Sequence, residues 1–262
     1  MNLRLFTTGL LFVFALTINP PLQAQDSATD SEPEKAKSES NVKLNIGADI
    51  MSRYIWRGTD YGHSPSIQPT LSLTVGGFEI GGWGAIATNS FYQEIDLYAK
   101  YTLKNFSLIL TDYYIPSVTG VSSSPDSSYF NYADEETAHS LEGSLLYKGG
   151  EKLPLWLQGS VFFYGNDKRW GYEAAKDTTN QTYFSTYIEA GYSLVIKENS
   201  ADFFIGFTPW AGAYGNTLGV VNLGVTGYRK IKITENFALP VKASLIFNPQ
   251  SSNVYFAFGI TL

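Results

Sequence analysis

The chain has 262 residues, a formal net charge of −6 and no cysteine; 15% of its residues are aromatic and only 16% are charged. The acidic balance, with no basic run, excludes a nucleic-acid partner held by phosphate neutralisation. The missing thiols exclude disulfides, thiolate nucleophiles, Cys metal sites and a lipid-modified N-terminal Cys. The charged fraction is below the ~25% usual for a soluble domain, and Tyr (18) and Phe (17) are residues that suit strands and membrane interfaces.

Residues 1–24 read as a cleaved signal peptide. Arg4 supplies the positive start, Leu5 to Ile18 the apolar stretch, and Leu22-Gln23-Ala24 a small-residue cleavage site. The apolar stretch is shorter than the ~20 residues of a spanning helix. Residues 25–41 are polar and low in complexity, and cannot bury enough surface to fold; they are expected to form a disordered periplasmic tether.

From Val42 onward the hydrophobic period is two. Strands are predicted at 42–57, 66–75, 78–87, 93–103, 106–114, 139–148, 155–164, 184–196, 201–209, 220–231, 237–247 and 253–262. Their lengths suit a tilted strand crossing a bilayer better than a globular sheet. Connections after even-numbered strands are short, for example Gly76-Gly77 and Lys104-Asn105; those after odd-numbered strands are mostly longer, for example Ile115 to Ala138. A soluble sandwich has no reason to sort loop lengths by parity, whereas outer-membrane barrels have short periplasmic turns and long outer loops. The expected fold class is therefore all-β: a transmembrane antiparallel up-and-down β-barrel of about twelve strands over 42–262, with both termini periplasmic. The final strand alternates and ends on Leu262, as a segment read by the barrel-insertion machinery would.

Parity assigns the walls. Ile46, Leu71, Ile80, Leu97, Leu108, Leu145, Val161, Ile188, Ile205, Val225, Val241 and Phe258 should face lipid. The same rule sends Lys43, Asp49, Arg53, Arg57, Glu79, Glu94, Asp96, Lys100, Glu142, Glu189, Asp202 and Lys242 into the lumen. Asp112 is the exception, near the outer end of its strand. Strand direction puts Arg53 and Arg57 at the same height as Glu94, Asp96 and Glu142. The candidate site is accordingly a lumenal charge network of Arg53, Arg57, Glu94, Asp96, Glu142 and Glu189, acting as a lock or as a solute filter. Tyr54 falls on the greasy face with Trp56. Trp56, Trp83, Tyr101, Phe106, Tyr114, Tyr147, Trp156, Tyr192, Phe203, Trp210, Tyr228 and Phe247 lie near strand ends and are assigned to aromatic girdles.

No catalytic constellation stands out, and the chain is not expected to be an enzyme. The histidines are His63, in the first outer loop beside Ser64, and His139, followed directly by Ser140 on the opposite face. Neither makes a nucleophile–base pair; both are expected at the surface or in a girdle. Neither a metal nor a cofactor is expected. The acids Asp126, Asp134, Glu135 and Glu136 are read as a solvated outer loop. Expected partners are outer-membrane lipids and lipopolysaccharide, the insertion machinery, and a small polar solute. The leading expectation is a porin-like passive channel; the alternatives are a non-conducting structural or surface-binding barrel closed by its own ion pairs and, more distantly, a lipid-acting enzyme.

The opening stretch carries a family resemblance. Ser52-Arg53-Tyr54-Ile55-Trp56-Arg57-Gly58, then Pro65-Ser66-Ile67-Gln68-Pro69, resembles the signature of the Gcw-chp family, outer-membrane barrel proteins of unknown function. Gly82-Trp83-Gly84, Glu94-Ile95-Asp96-Leu97-Tyr98 and Asp112-Tyr113-Tyr114 resemble that family's early strands. The likeness runs from Ile46 to Pro116 and implies location and architecture, with no ligand or catalytic role attached.

Overall fold

The computed structural model describes residues 42–116, 128–133, 137–150, 152–168 and 181–262. The predicted signal peptide and tether lie outside them, as do Asp126, Asp134, Glu135 and Glu136. The described residues form fourteen strands and no helix: β1 (Val42–Met51), β2 (Tyr54–Trp56), β3 (Thr59–Tyr61), β4 (Ser66–Val75), β5 (Phe78–Ala87), β6 (Gln93–Leu103), β7 (Phe106–Tyr114), β8 (His139–Lys148), β9 (Leu155–Gly165), β10 (Thr186–Ile196), β11 (Asn199–Thr208), β12 (Gly219–Lys232), β13 (Ala238–Asn248) and β14 (Asn253–Thr261). Twelve of them, β1 and β4 to β14, close into an antiparallel barrel; β2 and β3 make a separate hairpin.

Short turns gather at one end of the barrel because their residues accept a left-handed backbone. Gly76 (φ 59°), Lys104 (φ 54°) and Lys197 (φ 56°) each open a two-residue hairpin. The long connections lie at the other end. The walls follow the pleat: Ile46, Leu71, Leu108, Leu145 and Phe258 are exposed on the outside, while Glu94, Asp96, Glu142, Ser144 and Ser160 are buried within. A contiguous apolar outer wall of this kind is costly in water and favourable against hydrocarbon.

The barrel closes through a short seam. β14 aligns with β1 only from Asp49↔Thr261 to Met51↔Gly259, extended by a backbone bond from Leu262 to the Ala48 carbonyl (2.9 Å) and one from Ser52 to Phe258 (2.8 Å). Lys242 of β13 reaches across β14, where its partner Gly259 has no side chain, to Asp49 of β1 at 2.5 Å, and Thr261 Oγ1 donates to the same carboxylate at 2.6 Å. This staple is about three-quarters buried. Lys242→Met is expected to cost about 1–2 kcal/mol, read as a lower midpoint for the heat-dependent gel shift in detergent. An unchanged midpoint would remove the staple from the account.

The first predicted strand is wrong in one respect. A single strand over 42–57 was expected, with Tyr54 and Trp56 on the greasy wall and the loop from Gly58 to Pro65 facing outside. Instead the chain leaves the barrel after Met51, which pairs with Ser66 at the end of β4. Residues 54–61 then fold back as the β2–β3 hairpin, inside the lumen. The physical reason is that β4 offers no pairing beyond Ser66, and the aromatic side chains gain more by packing on one another than at a barrel rim.

Trp83 and Trp156 are corrected too. Trp83 packs against Tyr54, and Trp156 lies over Gly191, where an added Cβ would meet its ring at 2.2 Å. Both rings are therefore lumenal. Tyr228, beside Lys242 and Asp202 in the lumen, leaves the girdle with them. Nearness to a strand end says nothing about which face a ring takes; the parity each shares with lumenal charges does.

Candidate functional site

The site is built around an arginine–glycine turn. Trp56 pairs with Thr59, and the two residues between them both have positive φ, 47° at Arg57 and 79° at Gly58. This is the geometry of a tight two-residue hairpin turn. Gly58 is required twice over: its backbone is left-handed, and a Cβ would stand 1.9 Å from the Val221 carbonyl oxygen of β12. Arg57 holds the same handedness at a cost of about 1–2 kcal/mol, which its contacts offset.

Those contacts cross the lumen. The Arg57 guanidinium grips Glu142 of β8 with both terminal nitrogens, one of them at 2.9 Å from Oε1. It also donates to Ser160 of β9 at 3.0 Å and to the Tyr214 hydroxyl. Glu142 accepts further bonds from Tyr214 (3.0 Å), Tyr113 (3.2 Å) and Ser144 (2.9 Å). The guanidinium lies 4.4 Å from the Trp56 ring centre and 4.6 Å from that of Tyr187. Arg57 is 7% exposed and Glu142 1%. A bidentate, charge-assisted pair with its other lone pairs satisfied is the arrangement in which a buried ion pair holds.

Rings complete the closure. Trp56 packs on Tyr113 and Tyr214, and Phe162 stacks on Tyr214. Phe162, Tyr187, Tyr214 and Val221 form a buried cluster. On the opposite side Tyr54, Tyr61 and Tyr92 pack together, with ring centres 5.1–5.9 Å apart. Burial first, and the Glu94 carboxylate second, push these three phenols above the ordinary tyrosine value. Asn248 of β13 donates to the Gly58 carbonyl at 3.0 Å, tying the turn to the far wall.

Of the six expected network residues, the structure joins Arg57 to Glu142 and sets Glu94 beside Asp96, while Arg53 and Glu189 find other partners. Arg53 does not reach Glu94 or Asp96; the bend after Met51 leaves it in the hairpin, paired with Asp60. Glu94 accepts a bond from Tyr92 at 2.9 Å. Asp96 is buried, and its Oδ1 receives no hydrogen bond. Glu189 accepts from Asn222 Nδ2 at 2.6 Å and from Tyr187. Elsewhere in the lumen Lys100 pairs with Glu79 at 2.7 Å. Tyr113, Tyr187, Tyr214, Ser160 and Asp60 escaped the sequence reading. Tyr214 sits in a Gly-rich connection with no period to place it. Asp60 was hidden in a stretch read as an outer loop.

Of the two places expected for His139, the surface is excluded: it is fully buried, packed against the girdle residue Tyr114. Tyr132 stacks on it at 4.0 Å, its Nδ1 bonds Asp112 (2.8 Å) and its Nε2 bonds the Tyr129 carbonyl (2.6 Å). Tyr132 also donates to Asp112 at 2.7 Å. The segment 128–133 thus folds over this part of the wall and partners the one strand acid that parity placed on the lipid side.

Fold and site together define a twelve-stranded β-barrel with a hairpin folded into its lumen. Residues 35–141 match the family described as "Bacterial protein of unknown function (Gcw_chp)", the family that the opening stretch resembles. That span contains the whole hairpin and ends one residue short of Glu142. A comparison with curated proteins gave no match.

Proposed function

We propose that the protein is a bacterial outer-membrane barrel of the small-solute channel type, held closed at rest by its own hairpin. The observation that carries this reading is the Arg57–Glu142 pair, which fastens the hairpin tip to the wall across the lumen. Three features support it. The outside is apolar along strands of 9 to 14 residues. The inside is lined with carboxylates, hydroxyls and amides rather than filled with aliphatics. Long and short connections sort to opposite ends, as in barrels inserted with their termini in the periplasm. The buried rings around Arg57 also fit a barrel that never conducts, and one experiment separates the two. Liposomes carrying the wild-type protein should not swell in small sugars or amino acids, and those carrying Glu142→Ala should. If both stay impermeable while the variant remains folded, the barrel is structural and the channel reading falls.

A further inference from the structure

On one side of the hairpin the lumen opens into a cavity of about 320 Å³, bordered by Arg53 to Arg57 of the hairpin and by strands β9 to β13. Three cations border it, and each is already committed: Arg57 to Glu142, Arg53 to Asp60 and Lys242 to Asp49. Two carboxylates in the lining have no such partner. Glu189 is held by Tyr187 and Asn222, and Asp202 accepts from Ser193 at 2.7 Å. Among the described residues neither forms an ion pair. Beside Glu189, at the same level on β12, lies Asn222, 7% exposed, whose Oδ1 receives no hydrogen bond; Asp202 lies four residues further along β11, opposite Ser193.

The remaining lining is aromatic. Trp156 is seated on Gly191 and Phe204 on Gly224, where a Cβ would stand 2.2 Å and 2.7 Å from the rings. Glycine at these two positions fixes both rings against the wall, and both border the cavity. A partly buried carboxylate without an ion-pair partner is desolvated at a cost. Two of them, an unpaired amide oxygen and ring faces make a surface that accepts hydrogen and attracts positive charge.

We propose that this cavity binds a small organic cation, an amine or substituted ammonium on a short apolar skeleton. Its N–H groups donate to Glu189 and the Asn222 Oδ1 at one end and, where the skeleton carries a second amine, to Asp202 at the other, and its carbon skeleton lies between them on Trp156 and Phe204. A neutral polyol leaves both carboxylates uncompensated, and an anion is repelled by them. This assignment rests on the reading of the lumen as a place for small solutes, but it is tested at equilibrium, without any flux.

The test is calorimetric titration of the detergent-solubilised, full-length barrel with cadaverine and pentylamine, and with glucose and glutarate as neutral and anionic probes. Saturable binding of at least one cation is expected, with none for glucose or glutarate. Glu189→Gln and Asp202→Asn should each weaken cation binding about tenfold or more, as loss of a charged partner does. The assignment is overturned by no saturable cation binding to the wild type, by glucose or glutarate binding as tightly, or by unchanged cation affinity in the Glu189→Gln, Asp202→Asn double variant. The wild-type selectivity needs no variant to fold. Cation binding by a barrel that never conducts would overturn the channel reading alone; conduction without cation binding would overturn this one alone.

Discussion

Glu142→Ala is expected to turn a silent barrel into a conducting one. The substitution leaves the Arg57 guanidinium buried with its countercharge gone, a change that costs about 3–5 kcal/mol in comparable buried pairs. The hairpin has a cheaper alternative to bearing that cost: it swings out of the lumen and lets Arg57 reach water. Tyr113, Tyr214 and Ser144 lose their shared acceptor in the same step. The measurements are single-channel current in a planar bilayer and the midpoint of the heat-dependent gel shift. A double variant separates charge from shape. Arg57→Met with Glu142→Leu removes both charges and keeps most of the volume, so its midpoint should return close to wild type and its current should fall again. A double variant as leaky as Glu142→Ala would mean that the pair does more than fasten the hairpin.

Gly58→Ala is expected to have the second largest effect, by a route that involves no charge. Its backbone sits at φ 79°, where alanine costs about 1–2 kcal/mol. Its new methyl would also stand 1.9 Å from the Val221 carbonyl oxygen. That neighbour is fully buried main chain of the closed barrel, at the β12 bulge, whereas the hairpin belongs to no barrel ladder, so the tip moves first. A tip displaced even slightly pulls Arg57 off Glu142 and breaks the Asn248 bond to the Gly58 carbonyl. The expected outcome is a destabilisation of about 3 kcal/mol or more, with conductance like that of Glu142→Ala. A fully stable, silent Gly58→Ala barrel would show that the turn does not lie against β12.

Much of the barrel was legible in the sequence, because period-two alternation and turn residues reinforce each other. The bounds of β5, β6, β7 and β8 coincide with the predicted strands, each flanked by a turn or loop signal such as Gly76-Gly77 or Lys104-Asn105. The hairpin was not legible, for a reason that lies in the same signal. Tyr54-Ile55-Trp56 continues the alternation of β1 without a break, so parity carried the rings on to the lipid wall. The missed cue was length. A first strand of sixteen residues would outrun its partner β4, which has ten. The second cue was Arg57-Gly58, read as the entry to an outer loop rather than as a two-residue turn.

The charge network was legible only in part. Parity placed Arg57, Glu94, Asp96, Glu142 and Glu189 inside the barrel, where the structure has them. It did not determine who pairs with whom, because that depends on where the hairpin tip crosses the lumen. The tip reaches Glu142 of β8, Ser160 of β9 and Val221 of β12, stopping one strand short of β6's neighbour β7 on that side. Arg57 therefore meets Glu142, and Glu94 and Asp96 are left to Tyr92 and its neighbours.

The hairpin crosses the lumen and shields the wall beneath Arg57. The chain has no natural cysteine, so a single thiol reports on it directly. Ser160 is 3% exposed, under the Arg57 guanidinium, and cysteine is close to it in size. Ser160→Cys should resist a water-soluble maleimide in the otherwise wild-type barrel, react readily when Glu142→Ala is added, and lag far behind Ser251→Cys at the exposed rim. Labelling of Ser160→Cys at the rate of Ser251→Cys, in a folded barrel with Glu142 intact, would contradict the account.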